Sequence, residues 1–284
     1  MTKNYDPETH WDNIGKQSKS GQGQKAKFGT SQTGKSQYDI PSIDAQPKFI
    51  DYIKIGSKVL DIGSGIGLQV IKLIKIGIDA NGCDISGELI KVAKDNCKEY
   101  GINMSNIFYE WNGYNLPFCN NSYDVITTNT VLQHVIEETQ IESIFKEVKR
   151  VLVIKGVFCM SELVAPIDFQ SAHHVKSRSV KRYFELGKKN GLHLVNIYYT
   201  PKVFGSIIYY YQKMFGINYW AKQKSNGLLI KDLKLNQLKK SVSIKNIFYR
   251  NLLNLTNCYI DPLIKLLKVE KYFTAQVSII FIKQ

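Results

Sequence analysis

Apolar residues along this chain follow two rhythms. Short β-rich runs, such as the one ending in Val59-Leu60-Asp61-Ile62, alternate with segments whose apolar positions recur at helical spacing. The first rhythm predicts strands at about 58–62, 79–83, 106–110, 123–128, 156–163, 192–199 and 274–282. The second predicts helices at about 68–76, 87–100, 140–152 and 179–190. Strand and helix in alternation is the sequence form of an α/β fold, here Rossmann-like, with a seven-stranded and mostly parallel sheet. Two regions break the rhythm. From Gly15 to Gln37 the chain is Gly, Ser, Gln and Lys with almost no apolar anchor, so residues 1–40 are expected to form a flexible N-terminal arm. Trp11 either anchors that arm or contacts substrate. Between the sixth and seventh strands, 201–272 carries apolar stretches at helical spacing and is expected to be a helical insertion capping the acceptor site. Residues 41–200 then form the core, and 273–284 return to complete its sheet.

Composition narrows the class. Of 284 residues 44% are hydrophobic, with 20 Gly and 7 Pro, which excludes disordered and collagen-like chains. No run approaches the ~18 apolar residues of a membrane span, and the first residues lack the apolar core of a signal peptide, so a cytoplasmic protein is expected. The five cysteines are scattered, without a CxxC pair or a Cys/His cluster; buried thiols are expected, and no metal site. The net charge of +14 is unevenly placed. Residues 1–160 hold 18 basic and 18 acidic side chains, whereas 161–284 hold 20 and 6. Such a field draws phosphate-bearing partners, whether an acidic small molecule, an anionic membrane surface or nucleic acid, or it is simply a solvated Lys-rich face.

The most informative motif is Val59-Leu60-Asp61-Ile62-Gly63-Ser64-Gly65-Ile66-Gly67, an apolar strand running through a Gly-rich turn into a helix. Glycines there let backbone approach a ligand, and the helix start offers unpaired N–H groups. The GxGxG spacing differs from the GxGxxG of dinucleotide folds and argues against a nicotinamide oxidoreductase. Asp84, at the end of the next strand in Gly82-Cys83-Asp84-Ile85-Ser86, can accept hydrogen bonds from both ribose hydroxyls, or else cap the helix that starts near Gly87. Turn and acid together point to a nucleoside cofactor.

With these residues quoted, 55–163 resembles the class I S-adenosylmethionine-dependent methyltransferases of the type 11 and type 25 kind. Leu116-Pro117-Phe118 followed by Ser122-Tyr123-Asp124-Val125-Ile126 is similar to the family's run into its fourth strand. Thr128-Asn129-Thr130-Val131-Leu132-Gln133-His134 resembles the segment after it, and Phe145 to Leu152 with Lys155-Gly156 the helix and turn before the fifth. The resemblance implies an enzyme using S-adenosylmethionine. It implies that Asp61, Ile62, Gly63, Ser64, Gly65 and Gly67 line the methionine and ribose part, that Asp84 binds the ribose with Ile85 against the adenine, and that Asn129 completes the site. Where the family commonly has an acid contacting the adenine amino group, this chain has Asn112, beside Gly113; its side-chain oxygen can accept the same bond.

Methyl transfer to an alcohol needs orientation and a base. Candidates at the carboxyl ends of strands are His134, Glu162, His173 and His174, with Arg178 nearby; His134 reads equally as a structural residue. The stretch 173–199 also resembles, less specifically, methyltransferases of bacterial glycan assembly, which implies a sugar or a nucleotide- or lipid-linked glycan precursor as acceptor. A lipid or quinone methyltransferase at the membrane surface is the alternative, followed by an RNA methyltransferase and a non-catalytic S-adenosylmethionine-binding module.

Overall fold

The computed structural model describes residues 5–19, 49–102, 105–165, 167–201 and 274–284. The chain divides into two compact units, Met1–Tyr198 with Ser278–Gln284, and Tyr199–Val277. Of the second unit only 199–201 and 274–277, the ends of two strands, are described, so the expected helical insertion at 201–272 lies almost wholly outside the described residues.

The described elements are α1 (Pro7–Lys19), β1 (Lys58–Ile62), α2 (Leu68–Lys75), β2 (Asp79–Asp84), α3 (Gly87–Glu99), β3 (Phe108–Glu110), β4 (Tyr123–Asn129), α4 (Glu138–Val151), β5 (Leu152–Leu163), β6 (Phe169–Ala172), β7 (Val175–Ser177), α5 (Val180–Lys189), β8 (Leu192–Pro201) and β9 (Thr274–Lys283). Short 3-10 turns occupy Ile50–Tyr52 and Leu132–His134. Seven strands form one sheet in the order β3-β2-β1-β4-β5-β9-β8, and the pairings among β1 to β5 are all parallel. The order reverses between β1 and β4, so a crevice opens beyond their carboxyl ends, where open α/β sheets bind ligands. Register brings the ends level. Ile62 lies opposite Cys83 on one side and Thr128 on the other.

Strands buried on both faces need near-continuous apolar residues, and β1 supplies Val59, Leu60 and Ile62 at 0–1% exposure. Val59 packs with Val70, Ile71, Ile90, Ala93 and Val125 in one buried cluster. Each such burial stabilises by roughly 1.5–3 kcal/mol. Cys83, Cys97 and Cys159 are buried as expected, but Cys119 is exposed.

Two elements depart from expectation. Residues 7–19 of the presumed flexible arm form α1, which packs on α3, while 20–40 lie outside the described residues. The crossing is close at Gly15, where a Cβ would stand 2.8 Å from Glu88 Cβ. The chain between β5 and α5 forms a β6–β7 antiparallel hairpin rather than a plain loop.

Candidate functional site

A cavity of about 440 Å³ lies at the switch point, within the ~300–1,000 Å³ of small-molecule sites. Its floor is the Gly-rich turn. Asp61, Gly63, Ser64 and Gly65 line it, as do Asp84 and Ile85 from the end of β2, Gly113 after β3 and Asn129 at the end of β4. Gly63 has φ +70°, and a Cβ there would stand 2.4 Å from a Val131 methyl, so a side chain would close the cavity wall against itself. Ile62 and Gly67 are not lining residues; the first is sheet core and the second the left-handed cap of α2.

The two acids are held differently. Asp84 accepts the Ser86 N–H at 3.0 Å and the Gly65 N–H at 2.9 Å, one on each carboxylate oxygen, with the Ile85 N–H a third donor to the group. It does not cap α3, because that cap is Ser86, whose hydroxyl oxygen accepts from the Leu89 N–H. Asp61 accepts from Thr127 Oγ1 at 2.7 Å and Gln69 Nε2 at 3.3 Å. Burial pushes its carboxyl up to about 7, opposed by the Thr127 bond and reinforced by the neighbouring Asp84 charge. Asp84 is likewise raised, chiefly by burial. Two buried acids beside an open cavity suit a ligand that brings positive charge and hydroxyl donors. Asn129 adds a buried side-chain oxygen with no partner among the described residues.

α1 supplies the opposite wall. Pro7 and Trp11 line the cavity, and Trp11 also packs against Ile66, Leu89 and Val92. The helix is tied down by Asp12, whose Oδ1 accepts from Ser86 Oγ at 2.6 Å and from the Glu88 N–H at 3.2 Å. Trp11 thus serves as both anchor and cavity lining.

Among the expected catalytic residues, only His134 reaches the cavity. Its Nδ1 lies 3.1 Å from the His174 carbonyl oxygen, which can only accept, so Nδ1 carries the hydrogen. Nε2 then accepts from Gln133 Nε2 at 3.1 Å. Burial holds the imidazole down to about 4, helped by the nearby His174 and His10 and opposed by the bond to the His174 carbonyl. The neutral ring is also boxed by Trp11, edge-on at 5.0 Å, and by His174, parallel at 5.7 Å. His174 stacks on His10 of α1 at 4.9 Å, and His173 is exposed with its ring edge-on to Tyr5 at 5.3 Å. Neither lines the cavity; His174 packs on His10 of α1 and His173 on Tyr5 just before it. Among the described residues no group of three or more His, Cys, Asp or Glu side chains is arranged to hold a metal.

Glu162 and Asn112 also sit elsewhere than their motifs suggest. Glu162 is fully buried behind the cavity wall, accepting the N–H groups of Val131, Leu132 and Gln133. Asn112 is exposed, and its side-chain oxygen is already occupied by the N–H groups of Tyr114 and Asn115 at 2.9 Å each, a local turn that competes with ligand binding. Thr130 and Val131 line the cavity from the family-like segment after β4, whereas Trp111 and Gln140 line it with no local sequence signal.

Residues 60–160 match the family model described as Methyltransferase domain. Over 115 residues the chain is 31% identical to the ribosomal protein L11 methyltransferase of Dictyoglomus thermophilum, covering 40% of this chain and 35% of that protein. It is 30% identical over 115 residues to the demethylmenaquinone methyltransferase of Paenarthrobacter aurescens, covering 40% and 42%. The match thus spans less than half the length of these curated relatives. Among solved structures, a Galdieria sulphuraria protein described as a sarcosine dimethylglycine methyltransferase superposes with a TM-score of 0.52 at 18% identity, over 82% of this chain and 81% of that one. The cyclase SpnF superposes at 0.51 with 13% identity, over 80% and 75%. Residues 60–160 are thus similar to a methyltransferase domain, on a fold shared with these solved structures.

Proposed function

We propose that the protein transfers the methyl group of S-adenosylmethionine to a small-molecule acceptor. The observation that carries this reading is the pair Asp61 and Asp84 at the ends of adjacent parallel strands, facing one cavity across the Gly-rich turn. Asp84 would take the ribose hydroxyls, Gly63 to Gly65 the backbone of the methionine part, and Asp61 and Asn129 its ammonium end. The chain's own part in the reaction is then orientation. S-adenosylmethionine would supply a sulfonium-activated methyl group, which these residues would hold in line with the acceptor's lone pair; S-adenosylhomocysteine would be the leaving group, and the acceptor would lose its proton where it had one. Calorimetry on the full chain tests the cofactor half: S-adenosylmethionine and S-adenosylhomocysteine should bind in the micromolar range and bind Asp84→Ala at least tenfold more weakly. A folded wild type that binds neither would remove the reading. Since the fold also occurs in a cyclase, transfer needs its own measurement, with radiolabelled methyl counted in the product.

For the acceptor, the wall built by Pro7, Trp11, Val131 and Val135 favours an apolar or ring-bearing molecule over a highly hydroxylated one. The demethylmenaquinone methyltransferase among the relatives supports the same direction. The sugar or glycan acceptor inferred from 173–199 gains no support from the cavity, because His173 and His174 stand outside it. A panel of quinones, sterols and nucleotide-linked sugars discriminates: methylation confined to the sugars would overturn the apolar reading while keeping the cofactor.

A further inference from the structure

The 3-10 turn Leu132–His134 is short, sits at a cavity wall, and follows Thr130 at φ +57°. A turn of that length has little of its own to hold it, since its first N–H groups and last carbonyls lack partners within it. Two fully buried side chains, a carboxyl and a guanidinium, meet both ends. At the amino end Glu162 accepts Val131 N–H and Leu132 N–H, each at 3.0 Å, and Gln133 N–H at 3.3 Å. At the carboxyl end Arg178 donates to the Leu132 carbonyl at 3.0 Å and the Val135 carbonyl at 2.7 Å. The groups are complementary to the turn, carboxyl oxygens at its donors and guanidinium N–H groups at its acceptors. Arg178 is itself held by Glu138 at 3.0 Å.

We infer that Glu162 and Arg178 are positioning residues that act through the backbone of 131–135 to fix His134, Val131 and Val135 in the cavity wall. Glu162 sits at the end of β5 and Arg178 just beyond the β6–β7 hairpin, so two other parts of the chain set the geometry of a segment that contributes three cavity-lining residues, Val131, His134 and Val135. The stake is direct. The Val131 methyls approach Gly63 so closely that a Cβ would not fit, so a shifted turn changes the floor of the cofactor site as well as its wall. Burying such a pair is weak as a stability device, because well-packed apolar residues usually do as well; holding backbone groups at fixed points is what these polar groups add here. Neither side chain lines the cavity, and both Glu162 oxygens are engaged with backbone donors, which separates this role from that of a proton acceptor.

The test uses the full chain, with histidine rings and backbone amides followed by NMR and S-adenosylhomocysteine binding by calorimetry. In wild type His134 should remain the neutral Nδ1–H tautomer at pH 6, and the amides of 131–133 should exchange slowly with solvent. In Glu162→Gln the new amide group faces the Gln133 N–H donor to donor. Those amides should then exchange on the order of tenfold faster, His134 should titrate closer to the ordinary imidazole range, and S-adenosylhomocysteine should bind on the order of tenfold more weakly. A folded Glu162→Gln with wild-type exchange and wild-type His134 titration would overturn the inference, even with a lowered Tm. Should that variant not fold, the wild type decides: amides of 131–133 exchanging at open-loop rates overturn it, and protection together with the fixed tautomer supports it. The binding arm alone rests on the proposed cofactor. Wild type that fails to bind S-adenosylhomocysteine would sink that reading and leave the NMR arms intact.

Discussion

Burial raises Asp61, and the neighbouring Asp84 charge adds to it, so at pH below about 7 the free protein holds it protonated. A bound ammonium or sulfonium favours the anion, and cofactor binding should therefore release a proton. Apparent affinity for S-adenosylhomocysteine should weaken by up to about tenfold per pH unit below 7 and level off above it. Calorimetry at pH 6.5 in phosphate and in Tris checks this, and identical enthalpies in the two buffers would contradict it. The same residue carries a stability consequence with a definite sign. Its folded value lies above the unfolded ~3.9, so its favourable contribution is complete below ~3.9 and is lost as pH rises to about 7, leaving a penalty at pH 8. Asp61→Asn keeps the oxygen facing Thr127 and removes the titration. Its ligand-free form should be more stable than wild type at pH 8, by up to roughly 4 kcal/mol, yet bind S-adenosylhomocysteine at least tenfold more weakly. Residues like Asp61 and Asp84 were legible in the sequence because strand, glycine and acid are neighbours along the chain. Glu162 and His134 were not, since their roles depend on partners thirty to forty positions away.

At the level of elements, the strands of the sheet core were legible because burial on both faces writes a continuous apolar run. The start of β5 was misjudged for a physical reason. Lys155-Gly156 carries a genuine turn signal, and Lys155 does adopt φ +64°, but the irregularity sits inside the strand: pairing steps from Tyr123↔Leu152 to Val125↔Val157. α1 was hidden by the low-complexity stretch that follows it. Its own cues are modest, with Pro7 at the first helical position and Glu8 in the first turn, and its stability comes from docking rather than propensity. Asp12 is the test of that docking. Asp12→Ala removes the acceptor for Ser86 Oγ and the Glu88 N–H, and should cost about 1–2 kcal/mol in thermal or urea unfolding. Because Ser86 N–H also holds Asp84, binding of S-adenosylhomocysteine should weaken in the same variant. A stability loss with unchanged affinity would mean that α1 packs on the core without shaping the ribose end.

For the whole molecule, fold and charge were readable to different depths. The sheet order and its switch point follow from parallel crossovers that the strand–helix alternation already implies, and they locate the cavity at the ends of β1 and β4. Charge gives only a sum and a place along the chain. The 20 basic against 6 acidic side chains of 161–284 fall in part on ion pairs, such as Arg178 and Arg182 with Glu138, whose carboxyl is held down to about 2 by Lys176, Arg182 and Arg178 against the opposing effect of burial. Many of the others lie in 202–273, outside the described residues. No helix among the described residues is long and apolar enough to cross a membrane. If the acceptor is apolar and resides in membrane, the basic excess should draw the enzyme there electrostatically. Co-sedimentation with vesicles containing a third anionic lipid should be strong at about 50 mM salt, weak at about 300 mM and absent with neutral vesicles, since screening shortens the reach of the field from roughly 14 Å to 6 Å. Equal binding to neutral vesicles would shift the contact to apolar insertion. No binding to either would make the basic residues a solvated face and turn the acceptor search toward water-soluble molecules.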